Sequence, residues 1–386
     1  MTRTNKTAVF LLFTITFLNT AFSQQNQSFL QDSINNFNTD TIRERIKLLN
    51  KKTPIEISYT PELEQIIKKY LKTRTRHFNK TVETRAHYFS IFEKALQNHK
   101  APIELKYLPI VESNLNPRAI SKAGATGLWQ FMYAAAKENG LELNSYIDER
   151  MDPKKSSDAA AKYLIKLNEI YDDWILAIAA YNAGPRTISK AIIRSGGYKN
   201  FWNLRGFLPY ETAKYVPSFI ATMYVLEYSK EHSLLTIKQN ELPVTTDTVL
   251  VKTQIAFSHI SDFLEISKDT IKFLNPAYIH EIIPESSNRP HAITLLAEEA
   301  LLYAAKEKDL YQYAQEKFNL REKPLPELYS INSKIIYRIK KGDYLGKISQ
   351  RYGVKISDIK RWNNLKNDRI KENQRLIIFP KRIPKN

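Results

Sequence analysis

Apolar and polar positions along the chain predict a helical body followed by a region of short strands. From Pro61 to about Arg76, apolar residues recur at helical spacing (Leu63, Ile66, Ile67, Tyr70), and they do so again from Thr81 to Asn98 (Tyr88, Phe92, Ala95, Leu96). Pro102 opens a further helix to about Ser113, which Pro117 cannot continue. Asp152-Pro153 starts a helix through Ala159, Ala160, Leu164 and Leu167. Asp172 or Asp173 caps another, Trp174 to Ala183, closed by Gly184-Pro185. The last long helix runs from about Tyr210 to Lys230 and contains Pro217, where a kink is expected. Beyond residue 235 the pattern turns to short strands and turns. Ile335 to Ile339 reads as a strand, Leu345 to Arg351 and Ile356 to Trp362 as short helices, and Arg375 to Phe379 as a strand ended by Pro380.

Glycines mark where the backbone is under demand. Seven of the ten lie between Gly124 and Gly206 and three between Gly342 and Gly353, so tight turns concentrate in two regions. Around the second lies an internal repeat at an offset of 88 residues: Ile260-Ser261 against Ile348-Ser349, Ile266 against Val354, Ile271-Lys272 against Ile359-Lys360, and Asn275 against Asn363. The earlier copy lacks all three glycines and reads as a degenerate module. The expected organisation is a signal peptide (1–23), a flexible leader with a first helix (24–60), an all-helical domain with amino-terminal helices (61–235), a linker holding the degenerate repeat (236–330), and a small α+β module of βααβ order (331–386).

The amino terminus bears on location. Arg3 and Lys6 precede an apolar run of eleven residues, Ala8 to Leu18, and Ala21-Phe22-Ser23 offers small residues for cleavage after Ser23. The run is short for a membrane span, so export to the periplasm or cell envelope is expected, with an uncleaved anchor as the alternative. Among 386 residues, 58 Lys and Arg face 40 Asp and Glu, a net +18. That charge favours an anionic partner. No basic run or nucleic-acid motif accompanies it, so nucleic acid is not expected, while peripheral membrane contact and oligomeric state stay open. There are no cysteines, which excludes disulfides, thiolate catalysis and a lipid-modified cysteine. Seven scattered histidines with no H-E-x-x-H pair give a zinc enzyme no support. No metal or cofactor is expected.

One carboxylate stands out. Glu112 falls in the last turn of its helix, where about half a negative charge disfavours ionisation, and Leu108, Val111 and Leu115 would add desolvation. A carboxyl kept protonated near neutral pH can protonate a leaving oxygen. Nearby, Ser121 to Phe131 combines two glycines with a polar Gln130 between Trp129 and Phe131, and Ala180-Tyr181-Asn182-Ala183-Gly184 closes a mostly apolar helix with two polar side chains. Taken together, these segments describe a cleft.

Glu112-Ser113, Gly127-Leu128-Trp129-Gln130, Ala180 to Gly184 and Glu211-Thr212-Ala213-Lys214-Tyr215-Val216 occur in the order and approximate spacing of the lytic transglycosylases, and over residues 60 to 235 the chain resembles that family. Ile147 to Pro153 is similar to its membrane-bound D type. Tyr337 to Lys381 resembles a LysM repeat through Lys341-Gly342-Asp343, Tyr352-Gly353-Val354 and Trp362-Asn363. The resemblance implies a mainly α protein, with a lysozyme-like helical catalytic domain and a glycan-binding LysM module, acting on peptidoglycan. It implies that Glu112 protonates the bond between N-acetylmuramic acid and N-acetylglucosamine and then deprotonates the muramoyl 6-hydroxyl, closing a 1,6-anhydro ring. It also implies that Ser121, Gln130, Tyr181, Asn182, Glu211 and Tyr215 line the groove. Glu211 and Tyr215 share a helical face. A water-using muramidase normally needs a second carboxylate, and Asp148, Glu149, Asp172 and Glu211 are the candidates. That hydrolase and a catalytically inactive wall-binding protein are the competing readings.

Overall fold

A computed structural model describes residues 38–73, 75–232, 245–286, 289–326, 328–330 and 334–381. The expected signal segment and residues 24–37 of the leader lie outside them. The described elements run, in chain order, α1 (Thr39–Asn50), α2 (Pro61–Thr73), α3 (Thr75–Asn98), a 3-10 turn (Ile103–Tyr107), α4 (Leu108–Ser113), α5 (Tyr133–Glu138), α6 (Pro153–Tyr171), α7 (Trp174–Ala183), α8 (Pro185–Arg194), α9 (Phe201–Leu204), α10 (Tyr210–Glu227), β1 (Thr246–Val251), β2 (Ile255–Ala256), α11 (Phe257–Leu264), α12 (Lys268–Leu274), β3 (Ile282–Ile283), β4 (His291–Leu296), α13 (Ala297–Ala305), α14 (Glu307–Asn319), β5 (Ile335–Arg338), α15 (Leu345–Tyr352), α16 (Ile356–Asn363) and β6 (Arg375–Ile378). The protein is mainly α, as its sequence predicts, and its sheets are two-stranded ribbons.

The chain divides into two compact units, residues 1–115 with 161–242 and residues 116–160 with 243–386. In the first, α7 forms the centre. Its stretch Ile175 to Ala180 has no polar side chain and is buried on every side, as an all-apolar helix must be. Asp173 caps it by accepting the Leu176 N–H at 3.0 Å. α10 packs against both α2 and α7, burying Val216, Phe219, Ile220 and Met223. It runs as one element through Pro217 and ends at Glu227, three residues before the predicted limit. Gly184, with φ 81°, ends α7 as expected, but Pro185 at once opens α8. Proline suits a first helical turn because its missing N–H would have no partner there.

In the second unit, the Gly127 segment is fastened from several sides. Trp129 is fully buried, and its indole N–H donates to Ser157 Oγ at 2.9 Å. Arg150 pairs with Asp148 at 2.7 Å and donates to the carbonyls of Gly124 and Phe131. Gly127 has φ 88°, and a Cβ there would collide with the Arg150 carbonyl oxygen. Only glycine fits.

The 88-residue repeat is structural as well. α11 and α15 begin and end at residues 88 apart, and so do the starts of α12 and α16. In one copy, Asn275 Nδ2 donates to the carbonyls of Ile271 and Thr294 while its Oδ1 accepts the Thr294 N–H. In the other, Asn363 does the same with Ile359 and Ile377. Ser261 and Ser349 likewise donate to carbonyls five residues on. Each copy closes with an antiparallel ribbon, β1 with β4 or β5 with β6. The first copy adds the β2–β3 pair and two helices, α13 and α14, where the sequence pattern predicts strands and turns. The pattern hides these helices because Leu296, which precedes α13, is not a capping residue type. The first turn is held instead by Glu299, which accepts the Leu296 N–H.

Candidate active site

α4 carries Glu112 on a short helix, and local chemistry explains its abrupt end. Asn114 and Leu115 both take left-handed backbone, φ 55° and 57°. Their N–H groups turn back to the carbonyls of Ile110 and Pro109, satisfying acceptors that a helix end leaves open. The helix therefore stops at Ser113, before Pro117 could act, and the predicted single helix from Pro102 is a 3-10 turn followed by α4. Leu115 in this conformation is strained, and such strain collects at functional positions.

Glu112 is half-buried. Its carboxyl accepts a short hydrogen bond from the Tyr215 hydroxyl through Oε1, and Oε2 has no hydrogen-bond partner among the described residues. Its pKa is pushed up to about 7, first by burial among protein groups and further by the negative charge of Glu211, while the Tyr215 hydrogen bond pulls it back. Burial, rather than the end of a six-residue helix, dominates. Although part of the residue is exposed, the direction follows from what surrounds the carboxyl.

The tyrosines beside it are built for donation. Tyr215 is 7% exposed, and its phenol is raised well above the usual range by burial and then by Glu112. Tyr181 is raised in the same way, by burial, by Glu112 and by Tyr163, whose ring lies 5.7 Å away. Both keep their protons near neutral pH. Asn182 accepts a hydrogen bond from Thr212 through Oδ1 at 2.9 Å, which fixes which way its amide is turned. Glu211 is exposed in the first turn of α10 and acts on Glu112 through its charge.

The first unit therefore brings together five of the seven predicted site residues: Glu112, Tyr181, Asn182, Glu211 and Tyr215. Ser121 and Gln130 belong to the second unit. There, Ser121 Oγ accepts the Ala125 N–H, and the Gln130 amide donates to the carbonyls of Ala119 and Gly127. Gln130 sits at φ 49°, so its side chain fastens the turn that carries it. Two neighbours of the site, Tyr163 and Thr212, have no role in the sequence reading. Tyr163 is one of 22 tyrosines, and only its packing against Tyr181 distinguishes it. Of the other acidic candidates, Asp148 is held by Arg150, and Glu149 by Lys155 and Arg289. Asp172 is exposed beside the α7 cap. Among the described residues there is no cluster of His, Cys, Asp and Glu suited to a metal, and no helix long and apolar enough to cross a membrane.

Residues 89–203 match the transglycosylase SLT domain family, residues 337–379 the LysM domain family, and residues 245–312 the LysM-like domain of lytic transglycosylase MltD. The chain thus joins a transglycosylase SLT domain to a LysM domain and a LysM-like domain of the MltD kind, and in this it is similar to the lytic transglycosylases. Within that class it is similar to membrane-bound lytic murein transglycosylase D of Escherichia coli K12, with 28% identity over 319 residues, covering 80% of this chain and 67% of that protein. It is also similar to the peptidoglycan transglycosylase gp16 of Escherichia phage T7, with 36% identity over 100 residues, or 25% of this chain and 8% of that one. Among solved structures, the 70 kDa soluble lytic transglycosylase of E. coli matches with 24% identity and a TM-score of 0.32 over 38% of this chain. Lytic transglycosylase Slt of Pseudomonas aeruginosa matches with 22% identity and a TM-score of 0.32 over 36%. The chain spans about a quarter of the length of each of those two chains.

Proposed function

We propose that this lytic transglycosylase cleaves the β-1,4 bond between N-acetylmuramic acid and N-acetylglucosamine in peptidoglycan, with Glu112 as its acid and then its base. The observation that carries the reading is a half-buried carboxyl with a pKa of about 7, held by Tyr215. Protonated, Glu112 donates to the glycosidic oxygen as the bond to the muramoyl C1 breaks. The Tyr215 hydroxyl then stabilises the carboxylate that forms. That carboxylate accepts the proton of the muramoyl 6-hydroxyl, whose oxygen bonds to C1 and closes the 1,6-anhydro ring, so no water enters. Tyr181 and Asn182 present donors for orienting the sugars, and the turn that holds Ser121 and Gln130 in the second unit is a further glycan contact. The alternative of hydrolysis would require Glu211 to activate water, since it is the one carboxylate acting on Glu112 among the described residues.

The LysM module at residues 337–379 and the LysM-like module at 245–312 support attachment to the insoluble polymer. A second attached site raises the local substrate concentration without new catalytic contacts. An exported protein at the cell envelope fits this substrate, and the charge of +18 suits a wall that carries carboxylates. The test is Glu112→Gln on purified sacculi. Turnover should fall at least about a hundredfold, as for loss of a general acid-base, with sacculus binding retained. Turnover that survives the substitution would refute the assignment.

A further inference from the structure

The second unit holds a cavity of about 380 Å³ against the outer face of β5, bounded by Ser145, His280, the segment Pro324 to Pro326, and Tyr329. Strand alternation sets which residues of β5, and of the two positions after it, face outward. Ile335, Tyr337 and Ile339 point into the module core, while Ile336, Arg338 and Lys340 face outward. Arg338 and Lys340 line the cavity, and Arg351 joins them from the end of α15. None of the described residues lining it is acidic, and neither Arg338 nor Lys340 enters an ion pair among the described residues. The β5–β6 register sets Arg375 directly opposite Arg338, an arrangement of like charges that destabilises a ribbon. Tyr329, Tyr337 and Tyr352 also line the cavity. Their rings meet edge to face, 6.0 Å from Tyr329 to Tyr352 and 5.5 Å from Tyr337 to Tyr352. The Tyr337 hydroxyl is already taken up by Asp343, so that ring offers apolar surface, and the cations offer the charge.

The walls are fixed to one another. Ser145 and Tyr329 exchange two hydrogen bonds, Ser145 N–H to the Tyr329 carbonyl at 2.8 Å and Tyr329 N–H to Ser145 Oγ at 3.1 Å. The Tyr146 hydroxyl donates to the Pro326 carbonyl at 2.6 Å. The space is therefore preorganised, which lowers the cost of filling it.

We propose that this cavity binds a carboxylate of the peptidoglycan substrate, so that the carboxy-terminal module reads an acidic group on the strand as well as its sugars. Two sources share that chemistry, the stem peptides and the lactyl group that is freed when a peptide is removed. The proposal rests on the reading of the substrate as peptidoglycan, but it does not depend on Glu112 being the catalyst.

The full-length protein carrying Glu112→Gln, a change expected to stop digestion, is compared with the same protein carrying Arg338→Gln and Lys340→Gln in addition, at contact times too short for strand cleavage to be detected. Binding is measured to peptide-bearing strands, to peptide-stripped strands and to uncharged chitooligosaccharide. The added pair should weaken binding to a carboxylate-bearing strand roughly tenfold or more, as for loss of two charge-assisted hydrogen bonds, and leave chitooligosaccharide binding unchanged. Loss confined to peptide-bearing strands assigns the stem peptide, and equal loss on stripped strands assigns the lactyl carboxylate. Unchanged binding to both strands overturns the proposal. So does an equal loss on chitooligosaccharide, or an equal loss from the control pair Lys306→Gln and Lys308→Gln, which removes the same charge elsewhere.

Discussion

A carboxyl that folding forces into poor solvation must cost stability once it ionises, and Glu112→Gln exposes that cost. The folded pKa is about 7 against an ordinary value of 4.5. Below about pH 4.5 both folded and unfolded chains carry the proton, and the group is neutral with respect to folding. Between 4.5 and 7 the unfolded chain releases its proton first, so the native state loses stability as pH rises. Above 7 the loss is complete, at about 3 kcal/mol for a rise of this size. A glutamine in this position does not titrate and can still accept the Tyr215 hydrogen bond. The variant should therefore gain on the wild type with rising pH, by about 3 kcal/mol between pH 4.5 and pH 8. Urea unfolding at several pH values, followed by a probe in the first unit, measures the difference directly. A gap that stays constant across that range would refute the claim that burial sets this carboxyl.

Further expectations follow from single contacts. Tyr215→Phe removes the hydrogen bond that pulls the Glu112 pKa down, so the alkaline limb of the kcat/KM profile should move to higher pH; an unmoved limb would contradict the pairing. Thr212→Val frees the Asn182 amide to rotate, which should raise KM on glycan strands by roughly the factor of ten that one hydrogen bond is worth, while Thr212→Ser restores it. Gly127→Ala drives a Cβ against the Arg150 carbonyl at positive φ and should cost at least about 3 kcal/mol, visible as a lowered melting temperature.

Much of this was legible where a residue acts through its own neighbours in sequence. Asp173, Gly184 and the apolar run between them define α7 almost to the residue, and the repeat around Asn275 and Asn363 survives even though its earlier copy lost every glycine. What stayed hidden depends on partners distant in the chain. Nothing near Gly127 announces that the Arg150 carbonyl fills the space a side chain would need. Thr212 and Asn182 are 30 residues apart, and the motif that contains Thr212 does not say which side chain it orients. Glu112 was identifiable, and desolvation by its apolar neighbours was expected beside the helix end; that burial outweighs the helix end emerges only on folding.

The most direct measurement is the chemistry of the new sugar ends. Purified sacculi digested by the wild-type protein and by the Glu112→Gln variant are resolved by mass spectrometry. Wild-type products should carry anhydro-muramic ends, each lighter by one water than a reducing end, and the variant should yield almost none. Reducing muramic ends from the wild type would mean that water attacks and that Glu112 does not work by ring closure.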